Sequence, residues 1–248
     1  MRINNLIDIH SHILPGVDDG AKNIAESIRL LKDLKMQGVE CVYATPHFYM
    51  GKMPFPKYIE QIDTAYAALT EAVAGKALPE IRRGYEVRAF RGMSTYEELK
   101  QMNLQDTHYL LVEIPYGTAV EDWVIHELYN MQFTLGLKPI IAHIERYFGY
   151  RGFDRLLELV VDGDVRTQIT SSVVQAPYCT RKKIYTLIRD GLIHFIASDA
   201  HSMESRRGMF LKANEKLIKK CGEELLLKLY NRSRIMMHYG DSFNEKSE

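Results

Sequence analysis

Two periodicities alternate along the chain. Short apolar, β-branched runs are followed by longer stretches in which apolar residues recur every three or four positions, the spacing of one helix face. Residues 6–9 (LIDI) read as the end of a strand. Residues 21–37 then place Ile24, Ile28, Leu31 and Leu34 on one face of a helix, with Gly38 suited to its stop. Residues 39–45 form the next strand, ending in Pro46 and His47, and after a loop at 48–56 a helix carries Ile59, Ile62, Tyr66 and Leu69. Strands follow at 81–87, 109–115, 138–143, 167–170 and 192–197, with helices at 121–135, 153–161 and 178–189. Helices at 206–220 and 223–231 close the pattern.

Strands alternating with helices at intervals of roughly 25 to 40 residues predict a parallel sheet with crossover helices. About seven strands in a chain of 248 residues favour a closed or nearly closed α/β barrel. No internal repeat or Gly/Ser/Pro linker marks a boundary. One domain is expected over residues 1–240, with residues 241–248 as a frayed polar tail.

The polar residues fall where such a fold would collect them. Nearly every strand releases a His, Asp or Glu at its C-terminal end: His10 and His12, His47, Glu86, Glu113, His143, then Asp199 and His201. In a β/α barrel all these ends face one rim, where active sites are built. On a strand His10 and His12 project together; on a helix they would diverge by about 200°. The candidate ligands are five histidines (His10, His12, His47, His143, His201) and four carboxylates (Asp19, Glu86, Glu113, Asp199). Imidazole with carboxylate and no thiolate suits zinc, manganese or iron.

Each of these residues also has a plainer reading. His47 after Thr-Pro could cap a turn, and Glu113, set in apolar sequence, could be a salt-bridged buried acid. A buried carboxylate without a strong partner is costly, however, and a metal is such a partner. His108, His126, His194 and His238 start or sit inside elements and are assigned to structure, with His194 as a core histidine.

Composition narrows the classes. Apolar residues make up 46% and charged ones 26%, which is globular. Lys plus Arg equals Asp plus Glu at 32 each, so no bulk positive field draws a nucleic acid or an anionic membrane. The chain has no run of about 18 apolar residues and no signal-peptide core, so a cytoplasmic protein without membrane insertion is expected. Cys41, Cys179 and Cys221 are odd in number and lack a CxxC pattern, which argues against disulfides and a thiolate metal site.

Motifs in order along the chain resemble the PHP (polymerase and histidinol phosphatase) superfamily: DIHSHILPGVDDGA (8–21), ATPH (44–47), GYEVR (84–88), LVEIPY (111–116), AHIERY (142–147) and SDAHS (198–202). Within it they look most like the bacterial manganese-dependent tyrosine-protein phosphatases of capsule and exopolysaccharide operons. The resemblance implies a distorted (β/α)7 TIM-like barrel with three divalent metal ions, manganese first and zinc or iron as alternatives. It implies that His10, His12, Glu86 and Asp199 hold the first ion. Glu86 would bridge to the second, completed by Glu113 and His143, and Asp19, His47 and His201 would hold the third. The second Asp of DDG is the ligand in this pattern, leaving Asp18 to shape the loop. Arg146 and Arg206 match the phosphate-binding arginines, with Arg207 a rival to the latter. Two departures bear on loop shape: Ile144 stands where proline is usual, and residues 171–183 lack the usual Gly/Phe-rich text.

The activity so implied is hydrolysis of protein tyrosine phosphate on the phosphotyrosine tail of a bacterial tyrosine kinase of polysaccharide export. Divalent ions outweighing the carboxylates would supply local anion attraction, and a hydroxide bridging two ions would attack phosphorus while the arginines clamp its oxygens. A phenol, with a pKa of about 10, leaves more readily than an alkyl alcohol. Cysteine-based phosphatase chemistry is excluded, because the positions six after each cysteine are His47, Tyr185 and Leu227 rather than arginine. The rivals are a phosphatase of a small phosphomonoester such as histidinol phosphate, an amidohydrolase with the same HxH on its first strand, and a metal-binding regulatory module without activity.

Overall fold

The apolar run near the N-terminus forms β1 (Leu6–Ser11), buried at every position, which pairs in parallel with β2 (Val39–Ala44). The computed structural model describes residues 2–163 and 165–239; the tail expected at 241–248 lies outside them. Between these strands runs α1 (Ile24–Met36), which buries Leu30, Leu31 and Leu34. Asn23 caps it by accepting from the Glu26 N–H at 3.0 Å, so the helix begins at Ile24 rather than at residue 21.

The strands expected at 39–45 and 81–87 are each broken in two. Beyond β2 comes the short β3 (His47–Phe48), and β4 (Glu80–Arg83) is followed by β5 (Glu86–Arg88). Pro46 has no N–H to continue a ladder. At Gly84 a Cβ would come within 2.6 Å of Leu104 Cδ2 and 3.1 Å of Thr45 Cγ2, so a side chain there would push the buried Leu104 aside. One sheet is therefore ordered β1-β2-β4. The other begins β3-β5 and continues through β6 (Tyr109–Glu113), β7 (Lys138–Ile141), β8 (Arg166–Thr170) and β9 (Phe195–Ala197). All pairings are parallel.

Since β3 continues β2 and β5 continues β4, the two sheets trace one path. That path returns to its start. The His12 N–H donates to the Ala200 carbonyl at 2.8 Å and the Asp199 N–H to the His10 carbonyl at 2.9 Å, with a parallel bridge between Ser11 and Ala200. The strand exits are thus gathered at one rim, as the barrel pattern requires.

Inside the ring, Ile7, Ile9, Tyr43, Leu111, Ile140, Ala142, Phe195 and Ala197 form one apolar cluster, joined by Met236. The larger cluster lies between the strands and the helices α2 (Phe55–Val73), α3 (Asp122–Thr134), α4 (Phe153–Asp162), α5 (Tyr178–Arg189), α6 (Phe210–Cys221) and α7 (Glu223–Tyr239). α7 runs past residue 231, and α6 starts at Phe210 rather than 206, which leaves Arg206 on a loop beside the rim. The departure at Ile144 lies in a 3-10 turn, Ile144–Tyr147, and the one at 171–183 opens on another, Ser171–Gln175, and runs on into the first turns of the helix Tyr178–Arg189. Among the described residues no helix is long and apolar enough to cross a membrane.

One local irregularity matters for the site. Asp8 is in register with Val42 but Ser11 with Ala44, so β1 carries one extra residue between them. This bulge breaks the strict alternation of side chains. Ile9 and His10, consecutive in sequence, both face the enclosed space: Ile9 joins the inner cluster and His10 reaches Glu86.

Candidate metal centre

All nine residues singled out as ligands converge at the rim, and Glu86 is their hub. It is fully buried, and its Oε2 lies 3.3 Å from His10 Nε2, 3.2 Å from His12 Nε2 and 3.0 Å from His47 Nδ1, while its Oε1 meets His143 Nε2 at 2.9 Å. Asp199 Oδ1 stands 3.5 Å from His10 Nε2 and 3.6 Å from His12 Nε2, which completes the first expected group. Glu113 Oε1 lies 3.7 Å from His143 Nε2 on the far side of Glu86. Asp19 Oδ1 is 3.4 Å from both His47 Nε2 and His201 Nε2, and His12 closes this third group. A further overlap joins His47, Glu86 and Glu113.

Donor atoms this close repel or go unsatisfied unless cations or protons lie among them. Several do go unsatisfied: Glu86 Oε2, both Glu113 oxygens, Asp199 Oδ1, His47 Nδ1 and His201 Nε2 are buried without a hydrogen-bond partner. Such atoms cost free energy in a protein interior and need an explanation. Divalent cations supply one, and the oxygen and imidazole donors suit zinc, manganese or iron. The residues therefore fit the metals that the sequence implies.

The outer nitrogens support the same orientation. His12 Nδ1 donates to Asp18 Oδ2 at 2.7 Å and His10 Nδ1 to Gln168 Oε1 at 3.1 Å. His201 Nδ1 donates to the Asp199 carbonyl at 2.9 Å, and His143 Nδ1 meets the Tyr147 hydroxyl at 3.3 Å. The bonds to Asp18, Gln168 and the Asp199 carbonyl keep a proton on Nδ1 of His12, His10 and His201 and turn their Nε2 lone pairs inward, as ligating histidines require. Asp18 therefore does more than shape its loop, since it also accepts from the Gly20 and His47 N–H groups. Gln168 and Tyr147 escaped sequence reading. A polar glutamine at mid-strand in the otherwise ligand-free β8 was the available signal. Gln168 Oε1 also accepts the His143 N–H at 2.9 Å. His143 and Asp199 both have positive φ, at 34° and 52°, an uncommon conformation that turns each ligand inward at the end of its strand.

Protonation reflects the crowding of acids. Burial disfavours charge on His12, yet Asp18 and Glu86 push it up to about 10. Against the same opposition, Asp19 and Glu86 raise His47 to about 9. Burial holds His143 down to about 4 despite Glu86. Glu113 is raised, first by burial and then by the neighbouring Glu86 charge. A cation entering the cluster displaces the protons these acids hold on His12 and His47, so metal binding is coupled to proton release.

Two arginines close over the ligands. Arg146 Nη2 donates to Asp199 Oδ2 and Nη1 to the Tyr116 hydroxyl at 2.9 Å. Arg206 Nη2 reaches the same Asp199 oxygen at 2.9 Å and its Nη1 reaches Asp19 Oδ2 at 3.4 Å. The exposed Arg207 lines the same groove of about 380 Å³, but its charge is felt at Asp33, away from the ligands. His194 is a core histidine as expected, buried and accepting from the Thr167 N–H at 3.2 Å.

A parallel α/β ring with histidine and carboxylate ligands at its strand exits defines a class of metal-dependent hydrolases, and comparison with known proteins narrows it. Residues 6–237 match the family described as capsular polysaccharide synthesis, CpsB/CapC. The chain belongs to that family. It is 30% identical over 244 residues to the tyrosine-protein phosphatase YwqE of Bacillus subtilis (strain 168), covering 97% of this chain and 94% of that one. A crystal structure from the pair YwqE of Bacillus subtilis and CpsB of Streptococcus pneumoniae, described as unique metal-dependent tyrosine phosphatases, superposes with a TM-score of 0.80 at 31% identity over 96% of both chains. Dihydroorotase from Campylobacter jejuni shares the fold alone, with a TM-score of 0.55 at 12% identity over 96% of this chain and 84% of that one.

Proposed function

We propose that this protein is a metal-dependent phosphatase of tyrosine phosphate in proteins, acting in the cytoplasm on the phosphotyrosine tail of a bacterial tyrosine kinase of polysaccharide export. The observation that carries the reading is the gathering of nine candidate ligands, Glu86 at their hub, with two guanidiniums above them, in a chain whose relatives bear the name tyrosine-protein phosphatase. Three ions, manganese first, would be held by His10, His12, Glu86 and Asp199, by Glu86, Glu113 and His143, and by Asp19, His47 and His201. When bound, such ions supply Lewis acidity toward phosphoryl oxygens and acidify water to a usable nucleophile.

The chain's own residues do the rest. Arg146 and Arg206 turn planar donor forks toward the rim and bind the phosphoryl oxygens, holding the ester in place as charge builds on it. Asp18 and Gln168 keep His12 and His10 in the tautomer and pose that ligation needs, and Tyr147 steadies the His143 ring. Cys41 contributes no nucleophile: it is buried, and burial pushes its thiol up to about 12. A phenolic leaving group departs without a strong general acid.

The test is metal analysis of the purified protein paired with manganese-dependent hydrolysis of a phosphotyrosine peptide and of histidinol phosphate. Chelation and His10→Ala are expected to abolish turnover, and the peptide is expected to be the better substrate by kcat/KM. Full activity in metal-free protein would sink the proposal, and preference for the small ester would move the activity to the rival substrate class.

A further inference from the structure

Three adjacent strand exits carry a second tier of side chains outside the ligand set. Tyr49 follows His47 by two residues, Arg88 follows Glu86 by two, and Tyr116 follows Glu113 by three. The period of two places Tyr49 and Arg88 on the same side of their strands as the ligands below them. The Tyr49 ring stacks on His47 with centroids 5.1 Å apart and planes at 29°. The Arg88 guanidinium lies 5.7 Å from the centroid of Tyr49 and 5.8 Å from that of Tyr116, within contact range of both rings. Tyr116 in turn accepts a hydrogen bond from Arg146. A continuous line of flat groups thus runs along the mouth from His47 to Arg146.

Two features set this line apart from ordinary packing. Tyr116 is 59% exposed, so its ring adds little to the core. Among the described residues no carboxylate pairs with Arg88, whose charge rests against aromatic faces alone. A flat, aromatic and cationic wall beside the phosphate arginine is suited to a flat, electron-rich group attached to a phosphate.

We propose that Tyr49, Arg88 and Tyr116 form an aryl-recognition collar. The ring of an aromatic phosphomonoester whose phosphate is held by Arg146 lies against Tyr116 and the Arg88 guanidinium, while Tyr49 braces Arg88 from behind. The collar selects aryl over alkyl phosphates at the binding step, before the leaving group's acidity counts. This rests on the phosphatase reading and names the residues that read the group behind the phosphate. Ring and guanidinium contacts of this kind are worth about tenfold in affinity.

The experiment is calorimetric titration of the manganese-loaded full-length protein with phenylphosphonate and with methylphosphonate. The two share the phosphoryl anion, differ in the ring and contain no ester bond to cleave. Phenylphosphonate is expected to bind about tenfold more tightly. Tyr116→Leu and Arg88→Met are each expected to bring the two dissociation constants together, whereas Tyr116→Phe, which keeps the ring and loses the bond to Arg146, preserves their ratio. Metal content and melting temperature of each variant confirm an intact centre. Equal affinities in the unsubstituted protein, or a ratio unmoved by both Tyr116→Leu and Arg88→Met, overturn the collar and leave the phosphatase reading standing. Failure of both phosphonates to bind overturns both.

Discussion

Replacing Asp18 by asparagine removes one charge and one acceptor from beneath the centre while changing its volume little. Its carboxylate accepts from His12 Nδ1 at 2.7 Å, from the Gly20 N–H at 2.9 Å and from the His47 N–H at 3.1 Å. An asparagine has a single oxygen. Its better orientation keeps His12 and His47 and turns the amide NH2 against the Gly20 N–H. The loop cannot slide away from that conflict, because Gly20 already packs so closely that a Cβ there would lie 2.1 Å from the His12 carbonyl oxygen. One unsatisfied donor, together with a charge-assisted bond to His12 reduced to a neutral one, amounts to about 2 kcal/mol, or roughly thirtyfold in metal affinity. The assay is manganese titration against a competing chelator, with kcat/KM measured at saturating metal. Wild-type metal affinity and activity in Asp18→Asn would refute the argument that Asp18 positions His12.

Two other predictions test separate parts of the molecule. Arg206→Ala is expected to lower kcat/KM by at least about a hundredfold, the loss of charge-assisted bonds to phosphate, with metal content retained. Arg207→Ala, at a residue that does not reach the ligands, is expected to stay within about threefold of wild type; the reverse order in steady-state assays would exchange their roles. His194 is held down to about 2 by burial and by Arg166 and Arg232, below the ordinary histidine value of 6.5. The unfolded chain therefore takes up a proton first as pH falls below 6.5, and the folded state loses about 2 kcal/mol by pH 5. His194→Asn, which keeps an acceptor for the Thr167 N–H, should remove that loss; parallel stability slopes in urea melts at pH 7.5 and 5 would show that His194 is not the acid-labile group.

The order of elements and the set of side chains that meet at the rim were legible in the sequence because both are local. Apolar period sets strand or helix, and a ligand at a strand's C-terminal end lies within a few residues of the run that places it, as His143 does after β7. His10 and His12 were a pair by the period of two alone. The sequence was silent where geometry depends on partners distant in the chain. The extra residue between Asp8 and Ser11 exists only in the register of β1 against β2, and it lets Ile9 and His10 face the same way. Gln168 lies 158 residues from His10, whose ring it orients. Asp18 and Asp19 are adjacent and chemically identical, yet one turns back under His12 and the other outward to His47 and His201.

By itself, then, the sequence determined which side chains each strand delivers to the rim and in what order. Tertiary structure decided which of them share a site, that Glu86 is the atom-level centre, and which second partners hold the imidazoles. The division follows from range: backbone periodicity acts over a few residues, whereas ligand spacing is set by how the last strand closes against the first.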